Sequence, residues 1–405
     1  MKIIKRLSFR NAAMVACLVG SMMFVACKKD VKVTSVMLDK TTLTLVVGGS
    51  ATLVEMVLPD NAADKSVTWT SSNPGVSTVS GGIVTAKTVG KATITVTTKD
   101  GNKTATCDVK VVDPSDPNTP MPGDVYIAGS IGKVATMWKN GVAYSLTDGT
   151  KGATAYSVYV SDGNVYVAGV ESDTARFWIN GVKQNLPVGS LGSSANSVYV
   201  SGKDVYVAGY AGGYFANAKL WKNGVEQNLT DLQQSRANSV FVSGSDVYVV
   251  GYVGSTTNNI TAKLWKNGVE QNLDQSPPSK AYSVFVSGKD VYVAGYASNV
   301  VKLWKNGVAQ NLTDGSQYAS AYSVYVSGND VYVAGFEGYV AKIWKNGIAQ
   351  DLSDLSSTEV HSIFVSGNDV YAVGYDNFDV KLWKNGELQN LPRDKGEAYS
   401  VFVVK

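Results

Sequence analysis

The sequence predicts an all-β protein in two parts, a small β-sandwich followed by a closed ring of seven four-stranded sheets. Three observations carry this. The composition is rich in Gly (40 of 405 residues) and Tyr (22), with frequent Val and Thr and few helix-like segments. A near-copy of W-K-N-G begins at Trp138, Trp178, Trp221, Trp265, Trp304, Trp344 and Trp383, at spacings of 39 to 44 residues. Such a period marks one supersecondary unit that buries its apolar faces only against copies of itself. Finally, residues 31–112 alternate in short runs between Gly, Pro and Asn turn signals, the pattern of a sandwich.

Each repeat holds four strand-like segments, as in Ala321–Val326, Val331–Gly335, Ala341–Trp344 and Ile348–Leu352. S-G-N-D joins the first two and K-N-G the last two. Asn-Gly between apolar runs is a strong hairpin signal because both central residues take positive φ. The unit is therefore an antiparallel meander. Its V-Y-V-A-G and S-V-Y-V segments are apolar on both faces, as a blade packed between two others requires; a β-solenoid, the rival, has shorter turns and parallel strands.

The array opens on a V-Y strand at Val125 and ends on Ser400-Val401-Phe402-Val403, so the last strand is expected to complete the first blade and leave no open edge. A seven-bladed β-propeller over 124–405 follows. It resembles the Trp-Lys-Asn-Gly repeat propellers of secreted and lipid-anchored bacterial proteins, whose activities are largely unassigned. It lacks the Trp-Asp repeat, the paired-Gly kelch signature and the sialidase box.

Residues 1–26 read as an export signal, with Lys2, Lys5, Arg6 and Arg10 before an apolar stretch over 12–25. Its end, Phe24-Val25-Ala26-Cys27, resembles a bacterial lipoprotein signal, although Phe24 stands where Leu is usual. The resemblance implies lipidation of Cys27 and an outer-membrane lipoprotein facing the medium or the periplasm, held to the membrane through its lipid alone.

Residues 27–112 form the first domain. Leu45-Val46-Val47-Gly48-Gly49-Ser50, Val67-Thr68-Trp69-Thr70-Ser71-Ser72-Asn73-Pro74 and Gly90-Lys91-Ala92-Thr93-Ile94-Thr95-Val96 resemble the bacterial immunoglobulin-like domain of group 2. The resemblance implies an Ig-like sandwich with Trp69 in its core, a stalk or adhesion module with no enzymatic residues. Cys107, in an alternating strand, reads as a buried structural thiol. Residues 113–123, with four prolines, read as a semi-stiff linker.

Charge excludes some partners. The four cations of 1–26 have no acid beside them, so the chain's formal +3 becomes −1 without that segment, and no basic footprint for nucleic acid remains. The chain has one histidine, His361, at a place where other repeats carry Tyr156, Asn196, Asn238, Tyr282, Tyr322 and Tyr399; it reads as a polar substitution rather than a base. No metal, cofactor or catalytic constellation is expected. The recurring Asp124, Asp204, Asp246, Asp290, Asp330 and Asp369 read as turn residues bonded to local backbone.

Antiparallel alternation puts both tight hairpins on one rim and the length-varied connections on the other. Function concentrates in such loops. The candidate ligand-binding residues are Tyr214, Phe215, Asn217, Arg236, Tyr252, Asn258, Tyr296, Phe336, Tyr339, Tyr375 and Phe378. The expected role is a monomeric, non-catalytic binding and adhesion lipoprotein whose propeller takes an extracellular glycan (carbohydrate binding) or a protein. The alternatives are an accessory subunit of an outer-membrane assembly and, with least support, a propeller hydrolase or lyase.

Overall fold

The computed structural model describes residues 30–188, 192–213, 216–230, 234–254, 258–274, 276–352, 358–389, 391 and 395–405. They divide into a unit ending at Val112 and a unit over 113–405, and no α-helix occurs among them.

The first unit is a sandwich. One sheet runs Thr42–Val46, Thr104–Val112, Gly90–Thr98 and Val67–Ser71, with the first pair parallel. A second holds Ser50–Thr52, Ile83–Ala86 and Ser77–Ser80, and Ser35–Leu38 pairs with Glu55–Leu58. Alternation places Ile94, Cys107, Val109 and Val111 inward with Leu53 and Val84. Burial, with the Asp108 charge adding to it, pushes the Cys107 thiol up. Trp69 is half-buried at the margin of two apolar clusters.

In the second unit, the described residues make seven four-stranded antiparallel sheets. Blade 1 runs, from the outside inward, Val142–Ser145, Val134–Lys139, Val125–Ile131 and then Gly396–Val403 from the chain's end. Blades 2 to 7 follow in chain order, with inner strands Ala153–Ser161, Ser194–Ser201, Ser235–Ser243, Ser279–Ser287, Ala319–Ser327 and Thr358–Ser366. This is the seven-bladed propeller, closed by its C-terminal strand.

Two features fasten blade to blade. Each repeat Trp is at most 2% exposed and sits in a core shared with the preceding blade, as Trp304 does among Tyr248, Val250 and Leu264. One aromatic of this size removes some 150–250 Å² from water. Nearer the axis, the Ser hydroxyl of each inner strand accepts the backbone N–H of the following blade. Ser157 takes Val198, Ser197 takes Val240, Ser239 takes Val284, Ser283 takes Val324, Ser323 takes Ile363, Ser362 takes Val401, and Ser400 takes Val158, at 3.1–3.3 Å. The seventh bond closes the circle.

The rest of W-K-N-G locks each blade's outer hairpin to its second strand. Asn306 takes φ 51 and Gly307 φ 79, the left-handed pair that a two-residue hairpin demands. Asn306 Oδ1 accepts from Val291 N at 2.8 Å and its Nδ2 donates to Asp290 Oδ1 at 2.7 Å, while Lys305 Nζ reaches Asp290 Oδ2 at 2.8 Å. Asp204, Asp246, Asp290, Asp330 and Asp369 therefore serve the neighbouring hairpin's side chains rather than the local backbone of their own turn as expected, whereas Asp124 does both, accepting from Met121 N as well as from Asn140. Blade 2 supports this pairing logic: Ile179 replaces the Lys, Asn164 replaces the Asp, and the Asn180–Asn164 bond remains.

The Pro-rich stretch is not a free spacer but is bonded to the ring. Its carbonyls, lacking ladder partners, accept from Lys139 Nζ (Pro114, Asp116 and Thr119 at 2.8–3.0 Å), from Tyr126 (Pro117) and from Tyr144 (Ser115).

Deleting 396–405 removes the inner strand of blade 1 and two of the seven Ser bonds. We expect the truncated chain to lose its cooperative thermal transition and to aggregate through the bared strand Val125–Ile131, checked by circular dichroism melting and light scattering.

Lys pairing, then the Asn amide, holds Asp204, Asp246, Asp290, Asp330 and Asp369 below the ordinary value of 3.8. A depressed carboxylate stabilises fully above its unfolded value and loses that contribution as pH falls through the folded one. The melting temperature should therefore hold between pH 7 and about 5 and fall below 3.8; a decline already complete by pH 5 would contradict the latch.

Candidate functional site

Seven glycines shape the axis. In each V-A-G segment the Gly lies against the inner strand so closely that an added Cβ would sit 1.8–2.1 Å from a backbone oxygen: Glu397 for Gly129, Thr154 for Gly169, Ser194 for Gly209, Arg236 for Gly251, Lys280 for Gly295, Ser320 for Gly335 and Glu359 for Gly374. Just beyond that contact each inner strand skips one residue in register, a β-bulge. The skipped residues are Tyr156, Asn196, Asn238, Tyr282, Tyr322, His361 and Tyr399. A bulge re-aims the side chain it frees. All seven line one cavity of about 400 Å³ together with Ser194, Tyr210, Arg236, Tyr252 and Lys280.

The side chains of this funnel stack on one another. His361 lies between Tyr322 (4.5 Å, 14°) and Tyr375 (5.2 Å, 18°), Tyr282 meets Tyr322 edge-on at 5.1 Å, and Tyr399 meets Tyr156 at 5.2 Å. Asn196 and Asn238 each donate to the next blade's carbonyl, Ala237 and Ala281. Burial raises the hydroxyls of Tyr282 and Tyr322 far above the ordinary tyrosine range, and Tyr375 is pushed up to about 12 by burial and then by the Glu359 charge. The phenols are therefore neutral hydrogen-bonding groups on flat apolar faces.

Three residues further along the same strands, roughly 10 Å deeper, the rings of Tyr159, Tyr199, Phe241, Phe285, Tyr325, Phe364 and Phe402 meet in a complete circle, with neighbouring centroids 4.7–5.0 Å apart. Seven such steps close a circle of centroids roughly 11 Å across, and the rings themselves fill much of it. This collar separates the funnel from a second recess on the tight-hairpin side.

The funnel's upper tier is charged. The residue two before each bulge is Thr154, Ser194, Arg236, Lys280, Ser320, Glu359 or Glu397, so adjacent blades 4 and 5 carry cations and adjacent blades 7 and 1 carry acids. Glu359 Oε2 lies 3.3 Å from His361 Nε2, and Glu397 accepts the Tyr399 hydroxyl. Arg236 lies 4.3 Å over the Tyr210 ring and Lys280 4.8 Å over Tyr252. Among the described residues, no three His, Cys, Asp or Glu side chains converge as a metal site.

Of the predicted ligand-binding residues, Arg236 and Tyr252 line the funnel, and Tyr296 and Tyr375 stand against its lining residues Tyr282 and His361. Asn217 opens the third strand of blade 3, opposite Ala211, and Asn258 is an exposed turn residue; neither lines the cavity. Phe336 is 1% exposed, packed on Tyr318 and Tyr322, and so supports the wall instead of meeting a ligand. Tyr339 (φ 67) and Phe378 (φ 66) occupy exposed hairpin turns and do not line the funnel. Tyr214, Phe215 and Cys27 lie outside the described residues. The bulge residues were missed. Their signal is the column between an invariant-like Ala (Val in blade 7) and Ser, which alone mixes Tyr, Asn and His.

Comparison with known proteins bears on the first unit. Residues 32–109 match the bacterial Ig-like domain (group 2). That segment is thus an Ig-like domain of this kind. The chain is also 41% identical over 87 residues to an uncharacterised protein of Clostridium acetobutylicum, 46% over 83 residues to an Ig-like virion protein of Serratia phage KSP90, and 50% over 74 residues to the kappa-carrageenase of Pseudoalteromonas carrageenovora. These alignments span 21%, 20% and 18% of this chain and 22%, 32% and 19% of the relatives.

Solved structures similar to the chain include a quinonprotein alcohol dehydrogenase-like protein from Bacteroides thetaiotaomicron (12% identity, TM-score 0.47, 89% of this chain and 96% of that one). The TolB of Acinetobacter baumannii is another (10%, 0.40, 80% and 97%). Neither likeness bears on activity.

Gly295→Ala tests the bulge. Its methyl would meet the Lys280 carbonyl at 2.0 Å, so we expect a loss of about 3 kcal/mol in urea unfolding. Gly288→Ala, at φ 60 with open space around it, should cost only about 1 kcal/mol.

Proposed function

We propose that this protein is a surface-displayed binding lipoprotein whose propeller funnel takes an extracellular glycan. In this reading Cys27 carries the lipid, the Ig-like domain spaces the ring from the membrane, and the ring binds without turnover. The observation that supports it most is the funnel itself: a recess of about 400 Å³, narrowed below by an aromatic collar and lined by Tyr156, Tyr282, Tyr322, Tyr399 and His361 beside amides and cations. Flat neutral aromatic faces suit the apolar faces of sugar rings, and hydroxyl and amide groups around them suit sugar hydroxyls. The ordinary alternative, a protein partner seated on the rim, finds less support, because the lining is concave rather than a broad flat apolar patch.

A glycan array probed with the purified chain tests the binding reading, with Tyr322→Ala as the variant. Binding should appear and should weaken at least tenfold in the variant, about 1.4 kcal/mol or more, measured at a temperature where circular dichroism shows the variant still folded. No binding to any glycan would remove the reading. For the anchor, Cys27→Ser should move the expressed protein from the membrane fraction to the soluble one and abolish labelling by a palmitate analogue.

A further inference from the structure

We propose that the ligand of this funnel is an acidic sugar, its carboxylate or sulfate seated between Arg236 and Lys280 and its ring laid on the Tyr282–Tyr322 wall. The inference rests on the glycan reading and narrows it.

The two cations sit at equivalent places on adjacent blades, line one cavity, and differ from every other charged group of that tier. Of the acids across the funnel, Glu397 accepts the Tyr399 hydroxyl and Glu359 lies 3.3 Å from His361 Nε2. Arg236 and Lys280 make no ion pair among the described residues. Each instead leans over the tyrosine of the preceding blade, an interaction that positions a cation without neutralising it. Half-burial lowers the Lys280 ammonium, and the Arg236 charge lowers it further, so the pair repel one another where they stand. An anion between them relieves both effects. Arg236 stands exposed and Lys280 half-buried on one cavity wall with no acid paired to either, an arrangement that an anion completes through charge-assisted hydrogen bonds.

The geometry also gives a direction. The cations occupy blades 4 and 5 and the nearest aromatic wall of Tyr282, Tyr322 and His361 occupies blades 5 to 7. A single sugar carrying a charged substituent at its edge spans from one to the other, whereas a neutral sugar would leave the cations without a partner. Carboxylate and sulfate both meet an Arg–Lys pair through charge-assisted hydrogen bonds, so the two sources are separated by experiment.

The test uses the full chain in isothermal titration at low and moderate salt with three probes: an oligogalacturonate, a sulfated galactan oligosaccharide and a neutral cello-oligosaccharide. We expect one acidic probe to bind at least tenfold more tightly than the neutral one. Arg236→Gln and Lys280→Gln should each weaken it at least tenfold, with unchanged melting temperature. Lys289→Gln, in a tight turn on the opposite rim, should leave it unchanged. Binding of the neutral probe that ignores Arg236→Gln would overturn the acidic-sugar inference and leave the glycan reading standing. Equal weakening by Lys289→Gln would mark diffuse charge attraction and overturn the inference also. Failure of all three probes, together with an empty array, removes both.

Discussion

Close approach of a glycine to its neighbouring strand is the constraint on which this ring depends. A Cβ at any of the seven second-strand glycines would collide with a backbone oxygen of the inner strand. Because none is there, that strand sits close enough to bulge. The bulge then does two things at consecutive residues. It turns one side chain into the funnel, and it leaves the next, always Ser, aimed at the following blade's N–H. Assembly and recognition thus share a single local distortion.

That sharing explains the distribution of variety. Positions that meet another blade, the buried Trp and the Ser hydroxyl, are nearly uniform, as is the Asn-Gly turn that locks each blade internally. Positions that meet the axis divide by depth. At the collar only Tyr and Phe occur, since each ring packs on two others at about 5 Å and a smaller residue would break the circle. At the bulge, where contact is partial, Tyr, Asn and His alternate, and one step higher Arg, Lys, Glu, Ser and Thr appear. Freedom of sequence rises toward the mouth as packing falls away, as expected where a rigid scaffold carries an adaptable site.

Much of the architecture was legible from residues alone, because its signals are local and repeated. Asn-Gly turns fix the hairpins, and the split repeat at Val125 and Ser400 announces how the ring closes. The side-chain contacts within a blade were not legible. That Asp290 answers Lys305 and Asn306 depends on two hairpins of one blade lying side by side, and only the paired change in blade 2, Ile179 with Asn164, hints at it. The candidate site was legible by rim rather than by residue. Phe336 follows its glycine as Tyr252 and Tyr296 do, yet it is buried opposite Ser320, whereas Tyr252 and Tyr296, opposite Arg236 and Lys280, are half-buried. Tyr339 and Phe378 share the aromatic character of a varied loop but stand exposed in their turns, outside the funnel lining.

Because one blade is assembled from opposite ends of the ring, the Ser400–Val158 contact bridges 242 residues. A polypeptide still emerging from a ribosome or a translocon cannot complete it, whatever the other six blades have done. The circle is therefore a length gauge. Any product cut short before its final strand remains an arc with a naked edge, open to proteases, and only finished molecules acquire an intact recess at their centre.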